Sequence, residues 1–152
     1  MEHLPLKYLG YTIVFQEVPD EISLAINISG CPYKCRGCHS KYLWEYRGNY
    51  ISEDIDNLLN KYKNYITCVC FMGGDQNIFE LKELLKKIKR MKLKTCLYSG
   101  CDDINKLKDI FEYCDYIKCG RYIEELKTDD NIQYGIKLST SNQNIYKKGI
   151  DY

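Results

Sequence analysis

Between Ile22 and Ile28 apolar and other residues alternate strictly, with Ile22, Leu24, Ile26 and Ile28 on one side, and this period of two predicts a β-strand. From Ser52 onward the period becomes helical, with Ile55, Leu58, Leu59 and Tyr62 at i, i+3, i+4 and i+7. Ser52 is placed to cap that helix, and Glu53 and Asp54 suit the positive end of its dipole. Residues 66–72 form a continuous apolar run closed by Gly73-Gly74, the pattern of a strand buried on both faces. Asn77 and Glu80 then have the spacing of a capping box for a helix carrying Ile78, Leu81, Leu84, Leu85, Ile88 and Met91. A third strand is predicted over 93–98, ending at Ser99-Gly100. Asp102 or Asp103 caps a helix with Ile104, Leu107, Ile110 and Phe111. A fourth strand covers 115–118 and ends at Gly120, and 135–139 reads as a fifth.

Strand and helix thus alternate about five times, which predicts a parallel sheet with helical crossovers. A closed eight-unit barrel takes about 250 residues, and this chain has 152. The expectation is an α/β fold: an open, partial (β/α) barrel of about five to six βα units with a mostly parallel sheet. It forms one domain over 1–152, with its core over about 22–140. No linker, low-complexity tract or repeat divides the chain. In such sheets ligands bind at the C-terminal ends of the strands. The loops starting at Cys31, Gly73, Ser99, Cys119 and Ser139 are therefore expected on one rim.

Charge changes this picture little. Lys and Arg number 22 against 21 Asp and Glu, for a formal charge of +1, which gives no footprint for nucleic acid or an anionic membrane. Lys82, Lys86, Lys87, Lys89 and Arg90 alternate with apolar residues at helical spacing and read as a solvated helix face. No run approaches the roughly 18 apolar residues of a membrane span, and residues 11–15 are too short and lack the basic flank of a signal peptide. A cytoplasmic location is expected. In a reducing compartment, nine cysteines argue for metal ligation or buried thiols rather than a disulfide framework.

The strongest chemical signal is Cys31-Pro-Tyr-Lys-Cys35-Arg-Gly-Cys38, a C-x3-C-x2-C loop at the exit of the first strand. A structural zinc site takes four protein ligands, and so does an ordinary [4Fe–4S] cluster. Three thiolates fall one short, which leaves one iron of a four-iron cluster open to an exogenous ligand. Zinc with His39 as fourth ligand is the structural alternative, although the neighbours Cys38 and His39 would then have to reach one ion. About 35 residues on, Gly73-Gly74-Asp75 combines a backbone that a ligand can approach closely with a carboxylate that accepts from an ammonium group.

With these motifs the chain resembles the radical SAM superfamily. The resemblance implies that Cys31, Cys35 and Cys38 hold one [4Fe–4S] cluster and that S-adenosylmethionine chelates its open iron. It also implies that Gly73, Gly74 and Asp75 bind the methionyl end, with Ser99 and Gly100 lining the same site. Lys118, at the end of the fourth strand, reads either as a partner of the methionyl carboxylate or as a solvated lysine. Reductive cleavage of the sulfonium then yields a 5′-deoxyadenosyl radical. The segment 29–40 followed by Trp44, together with Tyr98-Ser99-Gly100, 115–122 and 139–143, is similar to the activating proteins of anaerobic ribonucleoside-triphosphate reductase. This similarity spans most of residues 22–146. It implies an enzyme that makes a glycyl radical on a partner protein, with an electron donor such as flavodoxin or ferredoxin. The superfamily often has glutamate at the position of Asp75. Val18-Pro19-Asp20-Glu21, Cys119 and Asn144 also depart from the activase pattern. A radical SAM enzyme acting on a small molecule, an activase of another glycyl-radical enzyme and a non-catalytic metal-binding module are the alternatives.

The other cysteines form no tight second motif. Cys68, Cys70 and Cys96 lie in predicted strands as small hydrophobes, Cys114 precedes the fourth strand, and Cys101 and Cys119 fall at the expected rim. His39 is expected to orient the loop, Trp44 and Tyr46 to pack against helices, and His3 to have no role.

Overall fold

The continuous apolar runs become the middle of a seven-stranded sheet. The computed structural model describes residues 3–38 and 40–152. Strands β1 (Lys7–Val14), β2 (Ser23–Ile28) and β3 (Asn49–Tyr50) lead to helix α1 (Ile51–Tyr62) and β4 (Cys68–Met72). Helix α2 (Ile78–Arg90), β5 (Lys94–Tyr98), a 3-10 segment (Ile104–Tyr113) and β6 (Tyr116–Cys119) follow. The chain ends with the short β7 (Ile132–Gln133) and β8 (Ile136–Lys137), then β9 (Asn144–Lys147). The main sheet has the order β3-β1-β2-β4-β5-β6-β9.

This topology corrects the expected partial barrel. β2, β4, β5 and β6 are parallel, but β1 runs antiparallel to β2, β3 to β1, and β9 to β6. The sheet is mixed, and three crossovers stand where five to six βα units were expected. Only two α-helices occur among the described residues. A further parallel strand would need a crossover of about a dozen residues or more. Beyond β6 the chain instead makes a 3-10 turn (Glu124–Leu126) and the β7–β8 hairpin, then returns antiparallel along β6 as β9. The segment 135–139 supplies only the two residues of β8, which pair with β7 outside the main sheet.

The two sheet faces are closed differently. Leu24, Ile26, Val69, Phe71, Leu97 and Ile117 pack with Ile55 and Leu59 of α1, Leu81, Leu85 and Ile88 of α2, and Ile110. On the other face Cys68, Cys70, Cys96 and Tyr116 are covered by Val18, Ile136, Leu138 and Ile145, which come from loops and short strands rather than helices.

Local signals hold in part. Asn77 caps α2 by accepting the Glu80 N–H at 3.2 Å, but the Glu80 carboxylate turns away to accept the Leu6 N–H. α1 begins one residue before Ser52, with Tyr50 at the N-cap, because the Ile51 N–H is already taken by the Leu6 carbonyl at 3.1 Å. The predicted helix after Asp103 is a 3-10 segment kinked at Leu107, with the Asp103 carboxylate accepting the Asn105 N–H at 3.0 Å. No helix among the described residues is long and apolar enough to cross a membrane.

Candidate metal centre

The parallel strands β2, β4, β5 and β6 end on one side, so the loops leaving them meet. The loop after β2 turns through positive φ at Lys34 and Gly37. It is fixed by the Cys31 N–H bond to the Leu43 carbonyl and the Cys38 N–H bond to the Cys35 carbonyl, at 3.0 and 3.1 Å. The loop after β6 lies directly against it. Gly37 has φ of 77°, a conformation that side chains rarely adopt, and a Cβ there would also displace the Glu124 carboxylate and crowd the Tyr122 ring. An Arg36–Glu125 ion pair joins the same two loops.

Cys31, Cys35 and Cys38 are unpaired thiols, each partly exposed, and they line one cavity of about 200 Å³. Two backbone amides face their sulfurs: Ser40 N–H donates to Cys38 Sγ at 3.3 Å, and the Tyr122 N–H donates to Cys35. Burial pushes the Cys35 thiol up. The Tyr122 bond pulls it back, Cys38 and Cys31 add to the rise, and the Arg121 charge opposes it. Ligation requires the thiolate, and these donors are ones that favour it. Among the described residues, the cavity wall holds three cysteines and no histidine, and no three Cys, His, Asp or Glu side chains close on a single ion. His39 lies outside the described residues.

Across the cavity stands the turn after β4. Gly73 and Gly74 have φ of 97° and 123°, conformations that side chains rarely adopt. Gly73 N–H donates to the Tyr98 carbonyl at 2.9 Å. Gly74 N–H donates to Gln76 Oε1 at 3.0 Å, and Gln76 Nε2 donates to the Ser29 carbonyl at 3.0 Å, tying the turn to the exit of β2. Asp75 Oδ2 accepts from Tyr33 at 3.1 Å and from Ser99 at 2.8 Å. Burial and then the Asp75 charge hold the Tyr33 hydroxyl well above the usual tyrosine range. Gly100 is required for another reason: a Cβ there would come within 2.6 Å of the Tyr33 ring.

The fold thus brings Cys31, Cys35, Cys38, Gly73, Asp75, Ser99, Gly100 and Lys118 onto one cavity wall. Gly74 instead faces Leu81 in the core. From the last loop Gln143 arrives, its Nε2 donating to the Gly120 carbonyl at 3.2 Å. A second cavity of about 720 Å³ adjoins the first and shares Cys38, Ser40, Tyr98, Lys118, Tyr122 and Gln143 with it. Cys101 and Cys119 are buried in the helix-side core and line neither cavity. Trp44 and Tyr46 also stay off both walls, with the Tyr46 hydroxyl bonded to the Pro5 carbonyl at 2.6 Å.

Sequence reasoning missed Tyr33, Gln76, Tyr98, Arg121 and Tyr122. Tyr33 and Gln76 had a usable signal, since one lies between two cysteines and the other follows Asp75 directly. The model of the family described as a 4Fe-4S single cluster domain matches residues 22–146. The chain belongs to this family. No curated protein and no solved structure matches it. Membership identifies the chain as a carrier of one four-iron cluster. Cys31, Cys35 and Cys38, which share a cavity with amides directed at two of the sulfurs, could hold such a cluster.

Proposed function

We propose that this single-cluster protein is a radical SAM activase that generates a glycyl radical on a partner enzyme, most consistently anaerobic ribonucleoside-triphosphate reductase. One observation carries the reading. The three cysteines leaving β2 share one cavity with Gly73 and Asp75 after β4 and with Ser99 and Gly100 after β5. In this proposal Cys31, Cys35 and Cys38 hold the cluster and leave one iron to S-adenosylmethionine. Together these groups supply one-electron cleavage of a carbon–sulfur bond and a radical that abstracts hydrogen.

The chain's own residues bind and orient. Asp75, held by Tyr33 and Ser99, presents its carboxylate to the methionyl ammonium, and the Gly73 backbone allows close approach. Lys118 takes the methionyl carboxylate. The adjoining cavity, open toward residues 15–20 and 134–139, admits the glycine-bearing loop of the partner. A low-potential protein of the flavodoxin or ferredoxin class delivers the electron. In this reading no acid–base pair is required.

The test is anaerobic reconstitution followed by reduction with S-adenosylmethionine present. The expected result is about four irons per chain, release of 5′-deoxyadenosine, and a doublet in electron paramagnetic resonance on the added reductase. Cys35→Ala should lose both cluster and cleavage; full cleavage in that variant refutes the ligand assignment. Cleavage without a protein radical on any glycyl-radical enzyme favours a small-molecule substrate.

A further inference from the structure

Three charged side chains reach the wall of the cysteine cavity: Asp75, Lys118 and Arg121. Two have polar partners. Asp75 accepts from Tyr33 and Ser99, and Arg121 Nε lies 3.7 Å from Asp102 Oδ2. Among the described residues, no carboxylate pairs with Lys118. Its Nζ donates to the Gly120 carbonyl at 3.3 Å and stands 5.3 Å from the centre of the Tyr98 ring. It lines both cavities. Burial pulls its ammonium down from the usual lysine range, and the groups that oppose this are thiols, Cys119 first and Cys35 next. A half-buried cation without a counter-charge costs free energy, which an anion in the cavity would offset.

We infer that Lys118 is a positioning residue for the cluster's charge: its ammonium is the counter-ion of the thiolate-held cluster and raises the cluster's reduction potential. The inference rests on Cys31, Cys35 and Cys38 being the ligands. Three thiolates around a doubly positive core leave one net negative charge, and one electron from a low-potential donor makes it two. No bond forms or breaks in that step and the ammonium keeps its proton. Attraction to a fixed cation grows with the added charge, so Lys118 favours the reduced form more than the oxidised one.

The test compares full-length wild type, Lys118→Met, Lys118→Gln and Lys118→Arg, each reconstituted anaerobically. Each is titrated with dithionite and mediators, and the reduced cluster is read by electron paramagnetic resonance. S-adenosylmethionine is left out, so the carboxylate contact proposed for Lys118 contributes nothing. At a fixed potential the ratio of reduced to oxidised cluster should fall on the order of tenfold in the Met and Gln variants. That equals a midpoint about 59 mV more negative for a one-electron couple. The Arg variant should stay within about twofold of wild type. Unchanged potentials in neutral variants that carry a full cluster overturn this inference alone. Loss of the cluster from both neutral variants also overturns it, because Lys118 would then hold the site together. A wild type that takes up no cluster overturns the ligand assignment and this inference with it.

Discussion

Replacing Ser99 by alanine removes one oxygen that serves two partners. Ser99 is 3% exposed, and its Oγ donates to Asp75 Oδ2 at 2.8 Å while accepting the Cys101 N–H at 2.9 Å. A hydrogen bond to a charged group contributes about 1.5–3 kcal/mol, and an orphaned buried N–H costs about 1–3 kcal/mol. Both losses concern the same atom and overlap, so the expected destabilisation is about 2–4 kcal/mol. Tyr33→Phe is the control. It removes a 3.1 Å bond to the same carboxylate, keeps the ring beside Gly100 and leaves Ser99 on Asp75, so it should cost about 1 kcal/mol. Anaerobic urea unfolding of the iron-free proteins reads the difference. With a urea m-value of about 2 kcal/mol/M, Ser99→Ala should lower the midpoint by about 1–2 M. In loaded protein, calorimetric binding of S-adenosylmethionine should weaken more for Ser99→Ala than for Tyr33→Phe, because Asp75 then keeps only the longer bond. A Ser99→Ala loss below about 0.5 kcal/mol, or a Tyr33→Phe loss exceeding it, would refute the claim that Ser99 is the main support of Asp75.

Two further substitutions probe the frame of the site. Asp115 accepts from Lys89 at 2.6 Å and from the Thr95 N–H at 2.9 Å. Burial works to raise its pKa, but the bonds from Lys89 and Thr95 and the charges of Lys89 and Lys94 outweigh it and hold the carboxyl below its usual 3.8. A depressed folded value stabilises above the unfolded value, and that stability is lost as pH falls through the folded one. Asp115→Asn should therefore cost about 1–2 kcal/mol at neutral pH, with the gap to wild type closing below about pH 4 in denaturant unfolding. Gly74→Ala puts a Cβ at φ of 123° and 3.3 Å from Leu81 Cδ1. It should cost about 1–3 kcal/mol in the same assay.

The parallel core was legible because β4 and β5 are buried on both faces and carry mostly apolar sequence, while β2 shows itself by its period of two. The candidate site followed from that, since the motifs sit where those strands end. The edges were not legible. β1 is only partly buried and has a register shift between Tyr8 and Tyr11, with Gly10 at φ of 121°, so its alternation is broken. β9 buries Ile145 and leaves Asn144 exposed. Without those edges, alternating strands and helices read as a growing barrel. The inner cover was invisible for a different reason: Val18, Ile136 and Leu138 come from short segments with no period to detect.

That cover also sorts the cysteines into two chemical classes. Burial pushes the thiols of Cys68, Cys96 and Cys114 well above the usual range and that of Cys119 up to about 12. Cys70 and Cys101 are buried as well. Thiolate is the nucleophile and the ligand, so the six buried cysteines behave as small hydrophobes and reactivity is confined to the three in the loop. Iodoacetamide added anaerobically to native, iron-free protein should therefore alkylate Cys31, Cys35 and Cys38, as located by peptide mass spectrometry. Loading the cluster first should protect all three, and urea should expose all nine. Of the three, Cys35 should react slowest, since burial raises its thiol. Early labelling of Cys70 or Cys96 in the native protein would mean that Val18, Ile136 and Leu138 do not seal the inner face. The second cavity would then extend into the sheet, and the division between packing thiols and loop thiols would fail.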